Sequence, residues 1–153
     1  MVDEQDQEDL NVHPTGKSIN VIRPFRGRGH RVWGARTLDG NSLEWRYVSV
    51  RRYFNFVEEF IKKATEPFVF EPNDANTWAH VEALISRFLT IHWRLGALNG
   101  GTPADAFFVS VGLNKSMIAQ DILEGRMIVE VGLAVTRPAE FIVIRYLCNM
   151  EVA

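Results

Sequence analysis

Ala106-Phe107-Phe108-Val109-Ser110-Val111, with Arg126 to Val135 and Ala139 to Leu147 behind it, is the stretch that decides the fold. The three segments read as strands, and the third runs nearly to the end of the sequence. Every strand needs partners for its backbone N–H and C=O groups. A strand at a chain end, with no following element to fix its course, is free to find them in a neighbouring molecule. The expectation is a subunit built to be linked to copies of itself, with an edge strand inside the same molecule as the alternative.

Upstream of these strands the period changes to that of helices. Val50, Tyr53, Phe54, Val57, Phe60, Ile61 and Ala64 share one face, with Arg52, Glu58, Glu59, Lys62 and Lys63 mostly opposite, and Pro67 stops the pattern. Pro72-Asn73-Asp74 offers capping side chains for a second helix over about Ala75 to Leu95. Its stripe is Trp78, Val81, Ile85, Phe88, Leu89, His92 and Leu95, broad enough to lie on a sheet or on the first helix. Gly96, Gly100-Gly101 and Pro103 end it. A short third helix near Ser116 to Leu123 joins the first late strand to the second, with Gly125 at its exit.

The N-terminal third is different in kind. Residues 1–17 form an acidic leader with Asp3, Glu4, Asp6, Glu8 and Asp9, too poor in apolar residues to order itself, and the sequence predicts a flexible tail there. Ser18 to Phe25 forms a strand through Ile19, Val21 and Ile22 until Pro24 interrupts the ladder. Gly27 and Gly29 supply a turn, and a second short strand covers Arg31 to Thr37. Residues 18–138 are read as one domain and 139–153 as a C-terminal strand or arm. The fold class is α+β: two long helices and a short third on a small mixed or antiparallel sheet, completed by strand exchange with neighbouring subunits.

A chain of 153 residues, 46% hydrophobic and 24% charged, can bury a core of its own. Its net charge of -2 gives no whole-chain signal for nucleic acid. The one cysteine, Cys148, excludes an intramolecular disulfide and fits assembly in a reducing cytoplasm. No signal peptide and no apolar run near the ~20 residues of a membrane span are present.

Catalytic chemistry is nearly absent from the pattern. Gly27, Gly29 and Gly34 fail the dinucleotide spacing, which would need glycine at the position of Val32. His13, His30, His80 and His92 form no metal motif, and His92 reads as a core or interface group rather than a ligand. Ser49, Ser86, Ser110 and Ser116 lack a nucleophile elbow. Glu58 and Glu59 beside Lys62 and Lys63 read as a solvated, ion-paired face. The arginines Arg23, Arg26, Arg28, Arg31 and Arg36, with Phe25 and Trp33 interleaved, leave three readings open: a solvated loop paired with acids of the same fold, a protein interface, or a grip on phosphates and bases.

Six strings taken in order carry a resemblance. Arg23 to Leu38 (RPFRGRGHRVWGARTL) resembles the opening of the C-terminal domain of contractile phage tail sheath proteins. Trp45 to Arg52 (WRYVSVRR), Phe70 to Asp74 (FEPND), Trp93 to Leu98 (WRLGAL), Gly101 to Phe107 (GTPADAF) and Arg137 to Phe141 (RPAEF) are similar to that family's successive signatures. Together they cover about Ile19 to Tyr146.

The resemblance implies a structural part of a phage tail, an R-type bacteriocin or an extracellular injection particle, assembled in the bacterial cytoplasm. Such subunits stack as rings around an inner tube, and the lattice collapses to a shorter, wider cylinder that drives the tube through a target envelope. It implies no catalytic site, no cofactor and no membrane insertion. Its partners are other sheath subunits, the inner tube, and baseplate and tail-end proteins. A nucleic-acid-binding module using the arginine cluster is the alternative function. The family's longer members carry an N-terminal arm and outer domains ahead of this region. Here only the acidic leader precedes Ile19; a short sheath, a truncated product and an excised domain all fit.

On this resemblance the residues acquire roles. Phe141, Ile142, Val143, Ile144, Arg145 and Tyr146 form the intersubunit strand, whose two faces are both covered when it is donated. Arg137 and Pro138 are the hinge before it, since proline fixes its φ and cannot donate to a ladder. Lys115, Gln120 and Asp121, on the short helix, are candidate tube contacts, with a solvated connector as the alternative. Arg23, Arg26, Arg28, Arg31 and Arg36 are a candidate basic interface with neighbouring sheath domains.

Overall fold

A computed structural model of the chain describes residues 2–12, 14–40 and 42–138. Two helices form its centre. Helix α2 (Val48–Thr65) buries Val50 and Val57 and half-buries Tyr53 and Ile61, so its apolar positions recur every three or four residues. No side chain caps its start. Instead the Val48 N–H donates to the Ala35 carbonyl at 2.9 Å, which ties the helix to the segment entering it. Its last turn runs into a 3₁₀ turn (Glu66–Phe68) carrying Pro67, which cannot continue an α-helix.

Helix α3 (Ala75–Arg94) begins where Asp74 accepts from the N–H groups of Asn76 and Thr77, both at 3.0 Å. Thr77, Val81, Ile85 and Leu89, four apart, form its buried stripe, and His92 and Arg94 in the last turn suit the negative end of the helix dipole. Val81, Ile85 and Leu89 are wholly inaccessible to solvent, each contributing roughly 1.5–3 kcal/mol of burial.

One layer of this core is a sheet of β3 (Phe107–Val111) and β4 (Val129–Leu133). The short helix α4 (Pro103–Ala106) precedes β3, and α5 (Ala119–Leu123) lies between the strands. The strands are antiparallel, with Phe107 opposite Leu133, Val109 opposite Val131 and Val111 opposite Val129. These three pairs share the face that packs with α3; Phe108, Ser110 and Glu130 alternate to the other side. Leu98, Ala106 and Met117 close the core.

The N-terminal third builds a separate ribbon. Strands β1 (Val21–Phe25) and β2 (Gly29–Trp33) pair antiparallel, Val21 opposite Trp33 and Arg23 opposite Arg31. The Arg28 N–H bonds the Phe25 carbonyl across the turn, and Gly27 and Gly29 hold φ of 72° and 68°, a region that side chains resist. None of the main core cluster comes from residues 2–37.

The expected α+β class holds, with antiparallel pairing, but among the described residues the strands form two two-stranded sheets rather than one. The β1–β2 hairpin closes on itself through a local turn, and after the Arg36–Tyr47 bridge the chain enters α2, so β1 and β2 never reach β3 and β4. Pro24 does not interrupt its strand: it pairs opposite His30, and in a two-stranded ribbon every strand has an open side that needs no donor. The second strand ends at Trp33, short of Thr37. The third helix starts at Ala119 rather than Ser116, because Ser116 is held in a turn by its N–H to the Gly112 carbonyl and its hydroxyl to the Ile128 carbonyl. The leader, expected as a flexible tail, contains a helix, α1 (Glu4–Asn11), started by a reciprocal Asp3–Asp6 capping box.

Candidate functional site

The hairpin distributes its five arginines to different tasks. Arg36 lies just beyond β2 and is 6% exposed; its Nη1 donates to the Asn11 carbonyl at 3.0 Å, at the C-terminal end of α1. Arg23 points from β1 to the other end of that helix, where Nη1 donates to the Asp3 carbonyl at 3.0 Å, and its guanidinium lies over the Phe25 ring. Arg26 and Arg28 sit at the turn and Arg31 on β2, all three exposed. The predicted basic interface is therefore divided: two arginines hold the fold and three face solvent.

The ribbon's two faces differ. Val21, Arg23 and Phe25 are half-buried on one face, from which Arg23 reaches the Asp3 carbonyl, and Phe25 and Trp33 pack with ring centres 4.6 Å apart. On the opposite face the cross-strand pair Ile22 and Val32 is 71% and 69% exposed. Both outer edges of the ribbon lack a strand partner among the described residues. Two strands alone are marginal in water, so a ribbon with open edges and a bare apolar face is suited to receive further strands.

Beside it lies a cleft of about 550 Å³ lined by Glu8, Asn11, Trp33, Arg36, Tyr47 and Pro138 among others. Among the described residues, the last backbone hydrogen bond to the body runs from the Thr136 N–H to the Ala97 carbonyl at 3.1 Å, and Arg137 and Pro138 beyond it are exposed. The predicted intersubunit strand, Phe141 to Tyr146, lies outside the described residues.

The candidate tube contacts are brought to one connection, between β3 and β4, in unequal roles. Lys115 is exposed and 3.4 Å from Glu82 of α3, and Gln120 is exposed with its amide on Glu124 at 2.7 Å. Asp121 is 8% exposed and serves the fold: Oδ2 accepts from the Ile118 N–H and Oδ1 meets Arg126 Nη2, both at 2.9 Å. Around them Ile118 and Leu123 are exposed apolar residues, as are Val69 and Phe70 after α2, Phe70 almost completely so at 99%. No signal in the helical period marks these positions, since each stands on a turn or at the end of a five-residue helix.

His92 packs against aromatic rings, 4.4 Å from Phe88, 5.4 Å from Phe56 and 5.8 Å from Tyr53, in a seam between α2 and α3 where Phe60 stacks on Phe88 at 3.6 Å. Burial pushes the Tyr53 phenol above its ordinary pKa, and its hydroxyl is buried without a hydrogen-bond partner. Trp78 and Trp93 are packing residues with satisfied indoles, donating to Asn73 Oδ1 at 2.7 Å and to the Gly100 carbonyl at 2.9 Å. Trp45 meets Phe54 edge-on, with Arg51 over its ring. Among the described residues, no group of three His, Cys, Asp or Glu could hold a metal ion, and no helix is long and apolar enough to cross a membrane.

The described residues thus form a helical pair on a small antiparallel sheet, with a separate two-stranded ribbon and several exposed apolar positions. The phage tail sheath C-terminal domain family matches residues 41–147, and the chain belongs to that family. No curated protein matches it. Among solved structures, the cryo-EM structure of an extracellular contractile injection system, the PVC sheath complex in the contracted state, is 46% identical with a TM-score of 0.89, covering 97% of this chain and 41% of that one. The baseplate of the anti-feeding prophage, 6-fold symmetrised, is 44% identical with a TM-score of 0.86, covering 97% and 40%. The same baseplate in its contracted state is 47% identical with a TM-score of 0.86, covering 97% and 41%. The chain thus spans about two fifths of the length of these relatives.

Proposed function

We propose that this chain is the tube-proximal domain of a contractile sheath subunit, structural and without catalysis, which polymerises with copies of itself around an inner tube. Contraction of that lattice drives the tube through a target envelope, using free energy stored in the packing of the extended assembly. The observation that carries this reading is the likeness to the PVC sheath complex across 97% of the chain. Baseplate components are further partners, as the anti-feeding prophage likeness supports. Assembly takes place in the bacterial cytoplasm, before the particle acts.

The open hairpin supports strand exchange as the linkage. Phe141 to Tyr146 of one subunit adds to the β1–β2 ribbon of a neighbour, with Arg137 and Pro138 as the pivot. Arg26 and Arg28 at the ribbon's turn and Arg31 on β2 face the neighbouring domain, whereas Arg23 and Arg36 serve α1. Lys115 and Gln120 are the polar contacts offered to the tube; Asp121 acts by shaping their loop.

Electron microscopy of the purified chain, alone and mixed with its cognate tube, tests the reading. Rings or tubular sheaths are the expected result. Dispersed monomers under both conditions would overturn self-sufficient polymerisation and assign the linkage to further parts of a longer subunit.

A further inference from the structure

We propose that α1 is a reversible latch on the β1–β2 hairpin, docked in the isolated chain and displaced when the hairpin receives a strand from a second copy; the displacement half rests on the strand-exchange reading above.

Among the described residues, hydrogen bonds tie the helix to the rest of the chain at its two ends. At the C-terminal end the Asn11 carbonyl accepts from Arg36 Nη1 at 3.0 Å and from the Ser18 hydroxyl at 2.7 Å, and the Leu10 carbonyl accepts from the Ile19 N–H at 2.9 Å. At the N-terminal end the Asp3 carbonyl accepts from Arg23 Nη1. Arg36 is well placed, because the orphan carbonyls and negative dipole end of a helix favour a cation there.

Between these ties the contact is unfavourable. Gln7 is 4% exposed, and neither its amide nitrogen nor its amide oxygen has a hydrogen-bond partner. That desolvation is imposed only while α1 is docked; release returns the amide to water. No residue of α1 joins the main apolar core. Eight residues are also too few for a helix to persist in water, so undocking melts it and the leader becomes an extended segment.

Charge opposes this frustration. Asp6, Glu8 and Asp9 of α1 are opposite in sign to Arg23, Arg26, Arg28 and Arg31 of the ribbon, a long-range attraction that salt screens beyond a Debye length of about 8 Å at physiological ionic strength. Strong end ties and charge attraction against a stranded amide and an unstable helix give a two-state element with closely balanced terms. Opening frees Arg23 from the Asp3 carbonyl and removes the wall of the cleft that Glu8 and Asn11 line.

Native-state hydrogen exchange on the full chain tests the latch. The α1 amides should exchange much faster than those of α3, and faster still as salt rises. Gln7→Leu removes the stranded amide without breaking a bond and should raise α1 protection roughly tenfold. Arg36→Met should abolish α1 protection and leave that of α3 unchanged; should it unfold the domain, Gln7→Leu alone decides. Protection in α1 equal to that in α3, or unmoved by Gln7→Leu, overturns the latch. Coupling is read from the association rate of a synthetic peptide copying residues 139–153, expected slower with Gln7→Leu and faster with Arg36→Met. Equal rates overturn the coupling. Binding to no variant overturns the coupling together with strand exchange, and the exchange data still decide whether α1 opens.

Discussion

The carboxylate of Asp121 lies 2.9 Å from Nη2 of Arg126, which also reaches Glu124 at 2.7 Å. With its other oxygen on the Ile118 N–H, Asp121 fixes both ends of the loop that carries Gln120 and Leu123. Arg126 is 57% exposed, so most of the worth of Asp121 lies in the capping bond rather than in the ion pair.

Asp121→Ala should therefore cost about 1 kcal/mol, read by urea unfolding. Lys115→Ala and Gln120→Ala, on exposed side chains, should leave stability unchanged. If all three variants lose tube binding but only Asp121→Ala loses stability, the division between a shaping residue and contact residues stands. A stability loss in the other two would refute it.

Asn73 joins two parts of the domain that are far apart in sequence. It accepts from Trp78 Nε1 at 2.7 Å and donates through Nδ2 to the Arg126 carbonyl at 3.0 Å. Asn73→Ala strands a part-buried indole N–H and should cost about 1–3 kcal/mol, with the denaturant midpoint falling at unchanged slope.

Ile85 of α3 is fully buried in the core cluster that also takes in residues of α2 and of the β3–β4 sheet. Ile85→Ala should cost about 2–5 kcal/mol, a large part of the stability of a domain of this size. Leu123→Ala, at an 82% exposed position, should change unfolding by less than about 0.5 kcal/mol. Equal effects from the two would contradict the placement of the core.

Burial raises the pKa of Tyr53 in the folded chain above its ordinary value near 10. The folded state thus favours the neutral phenol: the stability it contributes is whole below the unfolded value and is lost as pH rises through the folded one. Tyr53→Phe should flatten the alkaline decline and should not lower stability at neutral pH, because the buried hydroxyl it removes has no partner to lose. Denaturant midpoints measured from neutral pH to pH 11 check both limbs.

Phe141→Asp combined with Val143→Asp should abolish polymerisation and leave the monomer folded, since a donated strand with charged side chains cannot be covered on both faces. Normal sheaths from this variant in negative stain would remove strand donation as the linkage.

The long helices were legible in the chain alone. The stripe through Val81, Ile85 and Leu89, the Asp74 cap and the stop at Pro67 are encoded within a few residues of where they act, and so is the turn at Gly27 and Gly29. The ordered strings that resemble sheath proteins were also in the sequence, and with them the family. Three things were decided only by tertiary structure. Whether four strands make one sheet or two depends on pairings across up to a hundred residues, which alternation within a strand does not specify. The leader holds a helix through Arg36, 25 residues away from Asn11, although its own composition argues for none. A run of arginines looks uniform along the chain, yet partners supplied by distant backbone carbonyls bury Arg36 and leave Arg26, Arg28 and Arg31 in solvent. A side chain's type sets what it can bond; the fold alone decides which groups are brought within reach of it.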